Sequence, residues 1–135
     1  MLNTLNAPQR EAVKYIDGPL LVLAGAGSGK TRVITQKIAH LIEHVGYLPK
    51  EIAAITFTNK AALEMQERVA KLMVGKNTKG LTIATFHSLG LQILRKEATL
   101  LGYKPQFSIL DSSDSFKILS DILATTDKKL LKTTQ

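Results

Sequence analysis

Apolar and polar residues follow two rhythms along this chain. Leu20 to Leu23 is a short, wholly apolar run, the length of a buried strand. It breaks at a glycine-rich turn and is followed by apolar residues at Val33, Ile34, Ile38, Leu41, Ile42 and Val45. That spacing predicts a helix with one face on a core. Gly46 ends it, and Pro49 blocks an early restart. Ile52 to Phe57 is a second apolar run, which predicts a strand covered on both faces. Thr58 or Asn59 caps the next predicted helix, whose buried face is Ala62, Met65, Val69 and Leu72 or Met73. A polar turn from Gly75 to Gly80 leads to a third strand, Leu81 to Thr85. A helix from about Phe86 to Leu101 follows, with its stripe at Leu89, Ile93, Leu94, Ala98 and Leu101.

Before the first run, residues 4 to 16 predict a short helix with Ala12, Val13 and Ile16 on one face. Thr4 or Asn6 is its cap, and Pro8 suits its first turn. Asp17-Gly18-Pro19 breaks it. After Gly102 the character changes. Tyr103 to Gln106 reads as a linker and Phe107 to Leu110 as a short extended stretch. Asp111 to Ala124 predicts a helix with an acidic start and a stripe of Phe116, Leu119, Ile122 and Leu123. Residues Asp127 to Gln135 add no closing element, so the chain reads as stopping inside a structure. Strands alternating with helices predict an α/β domain with a parallel sheet. Ligands of such domains gather at the carboxyl ends of the strands. Three polar clusters fall there: the glycine-rich turn, Thr56 to Lys60, and Thr85 to Ser88.

Composition narrows the classes. The chain has 135 residues, 44% of them hydrophobic, which fits a packed core rather than disorder. No stretch reaches the ~20 apolar residues of a membrane helix, and the N-terminus lacks the pattern of a secretory signal. There is no cysteine, hence no disulfide framework or thiolate zinc site. A cytoplasmic protein is expected. Lys and Arg outnumber Asp and Glu by 18 to 11, a net charge of +7 that suits a polyanionic partner.

The turn carries specific chemistry. Ala24-Gly25-Ala26-Gly27-Ser28-Gly29-Lys30-Thr31 matches a phosphate-binding P-loop, except that Ala24 stands where the strict signature has Gly. Glycines let backbone N–H groups approach an anion, and the following helix presents its positive end. Lys30 is placed to reach the β- and γ-phosphates, and the Thr31 hydroxyl to ligate Mg²⁺. Phe57 reads either as core at a strand end or as a platform for a nucleobase. Thr56, Thr58, Asn59, Thr85 and Ser88 offer hydroxyls or amides to phosphate and sugar oxygens, and Lys60 a charge. His87 has a structural alternative at a helix start. His40 and His44 stand four apart, like two ligands of a zinc site, but no third ligand at a sensible spacing joins them, so they read as surface or boundary residues.

Four segments together resemble the N-terminal part of a superfamily 1A DNA helicase of the Rep/UvrD type. They are Leu5 to Gln9, Ala24 to Arg32, Ile55 to Ala62, and Thr85 to Gly90. The Lys79-Gly80-Leu81 approach and Phe107 to Asp111 are most like the Rep branch. The resemblance implies a RecA-like P-loop domain with helices on both faces of its sheet, over residues 1–103. It implies the start of an inserted helical subdomain over residues 104–135. It gives Gln9 the adenine edge and Arg32 the adenine face. With Ala24, Gly25, Ala26, Gly27, Ser28, Gly29, Lys30 and Thr31 they form the ATP-binding set. Lys30 and Thr31 are the catalytic members, and Thr31 is the Mg²⁺ ligand. Thr56, Phe57, Thr58, Asn59 and Lys60 are the first single-stranded-DNA motif, and Thr85, Phe86, His87 and Ser88 the second. The implied activity is ATP-driven 3′→5′ movement along single-stranded DNA in replication or repair. The family's acidic Mg²⁺ motif, its arginine fingers and its second motor domain have no counterpart here. Asp111 only superficially resembles the acidic motif. The chain is therefore expected to be part of a larger helicase and inactive by itself. A different P-loop NTPase or kinase, or a nucleic-acid-binding module without catalysis, are the alternatives.

Overall fold

The computed structural model describes the backbone of residues 4–133 and the side chains of residues 4–125. Residues 1–3, where the N-terminal sequence was expected to lack a secretory signal, and residues 134–135 lie outside the described residues. The chain divides into two compact units, Met1–Gln92 and Ile93–Gln135.

The first unit opens with helix α1, Ala7–Lys14. Asn6 caps it, its Oδ1 accepting the Gln9 N–H at 2.9 Å. The Gln9 Oε1 returns the bond, accepting the Asn6 N–H at 3.1 Å. Two otherwise orphaned donors are thereby satisfied. Val13 is fully buried, whereas Ile16, expected on the same face, is exposed.

The strand expected at Leu20 to Leu23 is not formed. Leu21 is 82% and Leu23 88% exposed. A strand exists only as one member of a hydrogen-bonded ladder. Among the described residues the only ladder joins β1, Ala53–Thr56, to β2, Thr82–Thr85, and neither pairs with this segment. The third expected strand is thus the second of a two-stranded parallel sheet.

Helix α2, Lys30–His40, continues into a wider π-turn at Leu41–Val45. Gly46 closes it with φ of 92°, its N–H bonded to the Leu41 carbonyl at 3.0 Å. The expected apolar face is rotated. Ile38 and Ala39 are buried, but so are Thr35 and Gln36, while Ile34 and Val45 are exposed. Thr35 tolerates burial because its hydroxyl donates to the Arg32 carbonyl at 3.1 Å.

Helix α3, Asn59–Leu72, is the crossover between the two strands. Thr58 caps it, Oγ1 accepting the Ala61 N–H at 3.1 Å. Met65, Val69 and Met73 pack with Ile38, Ala39, Ile52, Ala54 and Ile83 into the core of this unit. β1 is covered on one face rather than two. Ala54 is buried, Ala53 exposed and Ile55 half-buried.

Helix α4, Phe86–Glu97, follows β2 and passes into a 3₁₀ turn at Ala98–Leu101. Of its expected stripe only Ala98 is buried; Ile93, Leu94 and Leu101 are exposed. In the second unit Leu94, Ala98, Leu101, Tyr103, Phe107 and Ser108 line an apolar cavity of about 220 Å³. The extended stretch at Phe107 to Leu110 joins no sheet. Helix α5, Ser112–Thr133, begins where expected and runs past Ala124. Its stripe of Phe116, Leu119, Ile122 and Leu123 is exposed among the described residues. No helix among the described residues is long and apolar enough to cross a membrane.

Candidate nucleotide and nucleic-acid site

The glycine-rich turn takes the backbone that its sequence demands. Gly27 and Gly29 have φ of 75° and 86°, the left-handed region where a Cβ is strained. A Cβ at Gly29 would also stand 3.0 Å from the Gln9 Nε2. Gly25 does not adopt positive φ. Gly29 leads directly into α2, so the turn opens onto a helix N-terminus. Lys30 folds back over the loop and its Nζ donates to the carbonyls of Ala24 at 2.9 Å and Gly25 at 2.7 Å. Its charge is thereby held across the cradle. Thr31 is half-buried one residue further on.

Helix α1 closes the other side. Gln9 Nε2 donates to the Ser28 carbonyl at 3.0 Å. A primary amide has two N–H donors and two acceptor lone pairs. One of each is used, by Ser28 and by Asn6, so one of each is left for a ligand. Gln9, Val22, Leu23, Ala24, Ser28 and Lys30 line a shallow cavity of about 170 Å³ here. Arg32 does not line it. It borders a wider groove of about 410 Å³ with Gln36, Arg68 and Lys71. Gln9 and Arg32, both expected at an adenine, thus front two different cavities.

The donor set fits a nucleoside triphosphate with its cation. Open space at Gly27, where an added Cβ meets nothing within 4 Å, lets a phosphate oxygen approach the backbone. The Thr31 hydroxyl is a hard oxygen donor of the kind that Mg²⁺ takes alongside phosphate oxygens. Lys30 and Thr31 would hold that pair. No cluster of three or more acidic or imidazole ligands occurs among the described residues.

The second cluster is built by the sheet. β1 and β2 run parallel in register, with Thr56 opposite Thr85. The segments after both strands therefore leave the same end of the sheet. Phe57 is 84% and Phe86 68% exposed. Core packing does not account for either ring. Asn59, Lys60 and His87 are exposed as well. The hydroxyls divide differently. Thr58 is occupied as the cap of α3. Thr85 is buried, accepts the Ser88 N–H at 3.1 Å and donates to the Ser88 Oγ at 2.9 Å, which starts α4. Those three hydroxyls serve the helix starts. The exposed rings, Asn59 and the cation Lys60 serve the surface.

Asp111 has a local task. Its Oδ1 accepts from the Ser113 hydroxyl at 2.7 Å and from the Ser113 and Asp114 N–H groups at 2.8 Å each. Those bonds, the Ser113 hydroxyl first, hold its carboxyl below the usual carboxylate range. It is the N-cap of α5. His40 and His44 stack with ring centroids 5.1 Å apart and 26° between planes. Burial, then the charges of His44, Lys14 and Lys37, lower the pKa of His40, whose buried Nδ1 lacks a partner among the described residues.

Sequence reading passed over two contacts here, the Asn6–Gln9 pair and the reach of Lys37. The pairing of Asn6 with Gln9 was readable as an Asn-x-x-Gln capping box. Lys37, which reaches α1 from α2, has no local signature.

Residues 5–135 match the model of the UvrD/REP helicase N-terminal domain. The chain belongs to that family. It is 53% identical over 131 residues to the ATP-dependent DNA helicase Rep of Escherichia coli (strain K12), covering 95% of this chain and 20% of the relative. Rep of Salmonella typhimurium gives 53% identity over the same length. The ATP-dependent DNA helicase PcrA of Staphylococcus aureus (strain Mu50) is 49% identical over 123 residues, 91% of this chain and 17% of the relative. The chain spans about a fifth of the length of the UvrD/REP relatives it matches.

Proposed function

We propose that this chain is the N-terminal ATP- and single-stranded-DNA-binding part of an ATP-dependent 3′→5′ DNA helicase or translocase of replication or repair. Residues 1–103 are read as part of a RecA-like motor domain, and 104–135 as the start of a helical insertion. The observation that carries the DNA half is the parallel register of β1 and β2, which sets exposed Phe57 and Phe86 at one end of the sheet. Exposed aromatic faces stack on bases without sequence preference, and Lys60 pairs with the phosphodiester backbone. The nucleotide half rests on Lys30 and the left-handed Gly27 and Gly29. Gln9 reads the adenine edge with its remaining donor and acceptor. Thr31 would hold Mg²⁺, which would supply charge against the triphosphate.

Phosphoryl transfer also needs a group that orients the attacking water and positive charge against the transition state. Lys30 supplies part of the charge, and no described residue is placed to orient water. The 135-residue chain is therefore expected to bind ATP without turning it over. The longer protein should hydrolyse ATP with stimulation by single-stranded DNA. Steady-state phosphate release from both proteins, with Lys30→Ala as control, tests this. Robust turnover by the chain alone that vanishes in Lys30→Ala contradicts the division of labour. DNA-independent turnover by the long protein contradicts the helicase reading.

A further inference from the structure

Lys37 joins two elements that the phosphate site needs in register. It lies two helical turns beyond Lys30 on α2. Its Nζ donates to the Ala12 carbonyl at 3.0 Å and to the Tyr15 carbonyl at 2.6 Å. Both are carbonyls of the last turn and C-cap of α1, which have no partner further along the helix. A cation there also answers the negative end of the helix. Burial lowers the Lys37 pKa, as expected for an ammonium turned inward onto carbonyls.

The other end of α1 is tied separately. Gln9 Nε2 holds the Ser28 carbonyl, and Gly29 leaves the room for it. Helix α1 is thus fixed at two points along its length, with Val13 fully buried between them. Lys37 adds a polar tether near the far end of α1 to the packing at Val13, and so bears on where the remaining Gln9 donor and acceptor point.

We propose that Lys37 is a positioning residue for base selection: by holding the Ala12 and Tyr15 carbonyls it sets the tilt of α1, and with it the Gln9 amide, against the phosphate loop. The inference rests on the reading of Gln9 as the adenine-edge residue of an ATP site.

The test uses the full-length helicase and steady-state hydrolysis of ATP and GTP, with DNA saturating. Lys37→Met keeps the stem and removes both donors. It is expected to raise KM for ATP about tenfold while kcat stays within about twofold, the pattern of lost binding rather than lost chemistry. The preference for ATP over GTP should fall to that of Gln9→Ala. The double variant should be no worse than Gln9→Ala alone, because both act on one contact. Lys37→Arg, which keeps two donors, should retain the preference. If Lys37→Met does not fold, Lys37→Gln, which keeps N–H donors on a shorter stem, should show an intermediate preference. A Lys37→Met or Lys37→Gln protein with wild-type preference, beside a Gln9→Ala protein that has lost it, overturns the proposal alone. So does full additivity in the double variant. Wild-type preference in Gln9→Ala, with turnover still abolished by Lys30→Ala, overturns it together with the Gln9 assignment. Turnover that survives Lys30→Ala defeats the ATP site itself.

Discussion

Leu20 to Leu23 is wholly apolar and Ile52 to Thr56 almost so, and both lead into a helix start. The second run forms β1, pairs with β2 and buries Ile52 and Ala54 on the core. The first pairs with nothing described, and Leu21 and Leu23 face solvent. The first run is the more hydrophobic of the two, so the runs differ in neighbours rather than in a want of hydrophobicity. β1 has an adjacent strand that returns through one crossover helix, α3. Among the described residues no strand pairs with Leu20 to Leu23. What positions the glycine-rich turn instead is helical: Gln9 on α1 and the start of α2. The cluster around Phe57 and Phe86 is set by a ladder, the glycine-rich turn by helix ends.

Substitution should separate the two regions most strongly in the core beneath β1. Met65→Ala is expected to destabilise the chain by about 2–5 kcal/mol, read from denaturant unfolding. The next effect concerns binding. Phe57→Ala should cost about 1–3 kcal/mol of single-strand affinity in the longer protein, across unrelated sequences, by fluorescence titration. Its unfolding midpoint should not move, since the ring is exposed. A collapse in stability would make Phe57 core after all. Thr58→Ala should lose roughly 1 kcal/mol of stability as the missing cap of α3, with Thr58→Asn restoring it.

A smaller effect comes from pH. The His40 pKa is lowered in the fold from its ordinary 6.5. As pH falls below that value the unfolded chain takes up the proton first, so stability declines between about 6.5 and the lower folded value. His40→Gln should flatten that part of the pH profile. The smallest effect belongs to the unpaired run. Leu21→Ala should stay within about 0.5 kcal/mol of wild type. A loss comparable to Met65→Ala would show that the first run is packed.

Local features were readable from sequence. Thr58 precedes a helical pattern and caps it, and Gly46 ends the π-turn after α2 in the left-handed region. β1 and β2 were readable because each is bounded by turn residues and a helix start. The glycine-rich turn declared its backbone through Gly27 and Gly29. Long-range features were not readable. Whether an apolar run becomes a strand depends on a partner far along the chain, which is why Leu20 to Leu23 misled. The rotation of α2, which buries Gln36 and exposes Ile34, depends on the faces offered by α1 and α3. The use of the Thr58, Thr85 and Ser88 hydroxyls at helix starts follows from helix geometry that residue type does not specify. The reach of Lys37 to α1 depends on two helices lying side by side.

The difference between the two runs is most directly measured by backbone hydrogen exchange on the 135-residue chain, resolved by residue. The amides of Ala54, Thr82 and Ala84 should be protected to near the global stability of the first unit. The amides of residues 20 to 23 should exchange close to the rate of an unstructured chain. Equal protection in both runs would contradict the account, because it would require a ladder partner for Leu20 to Leu23.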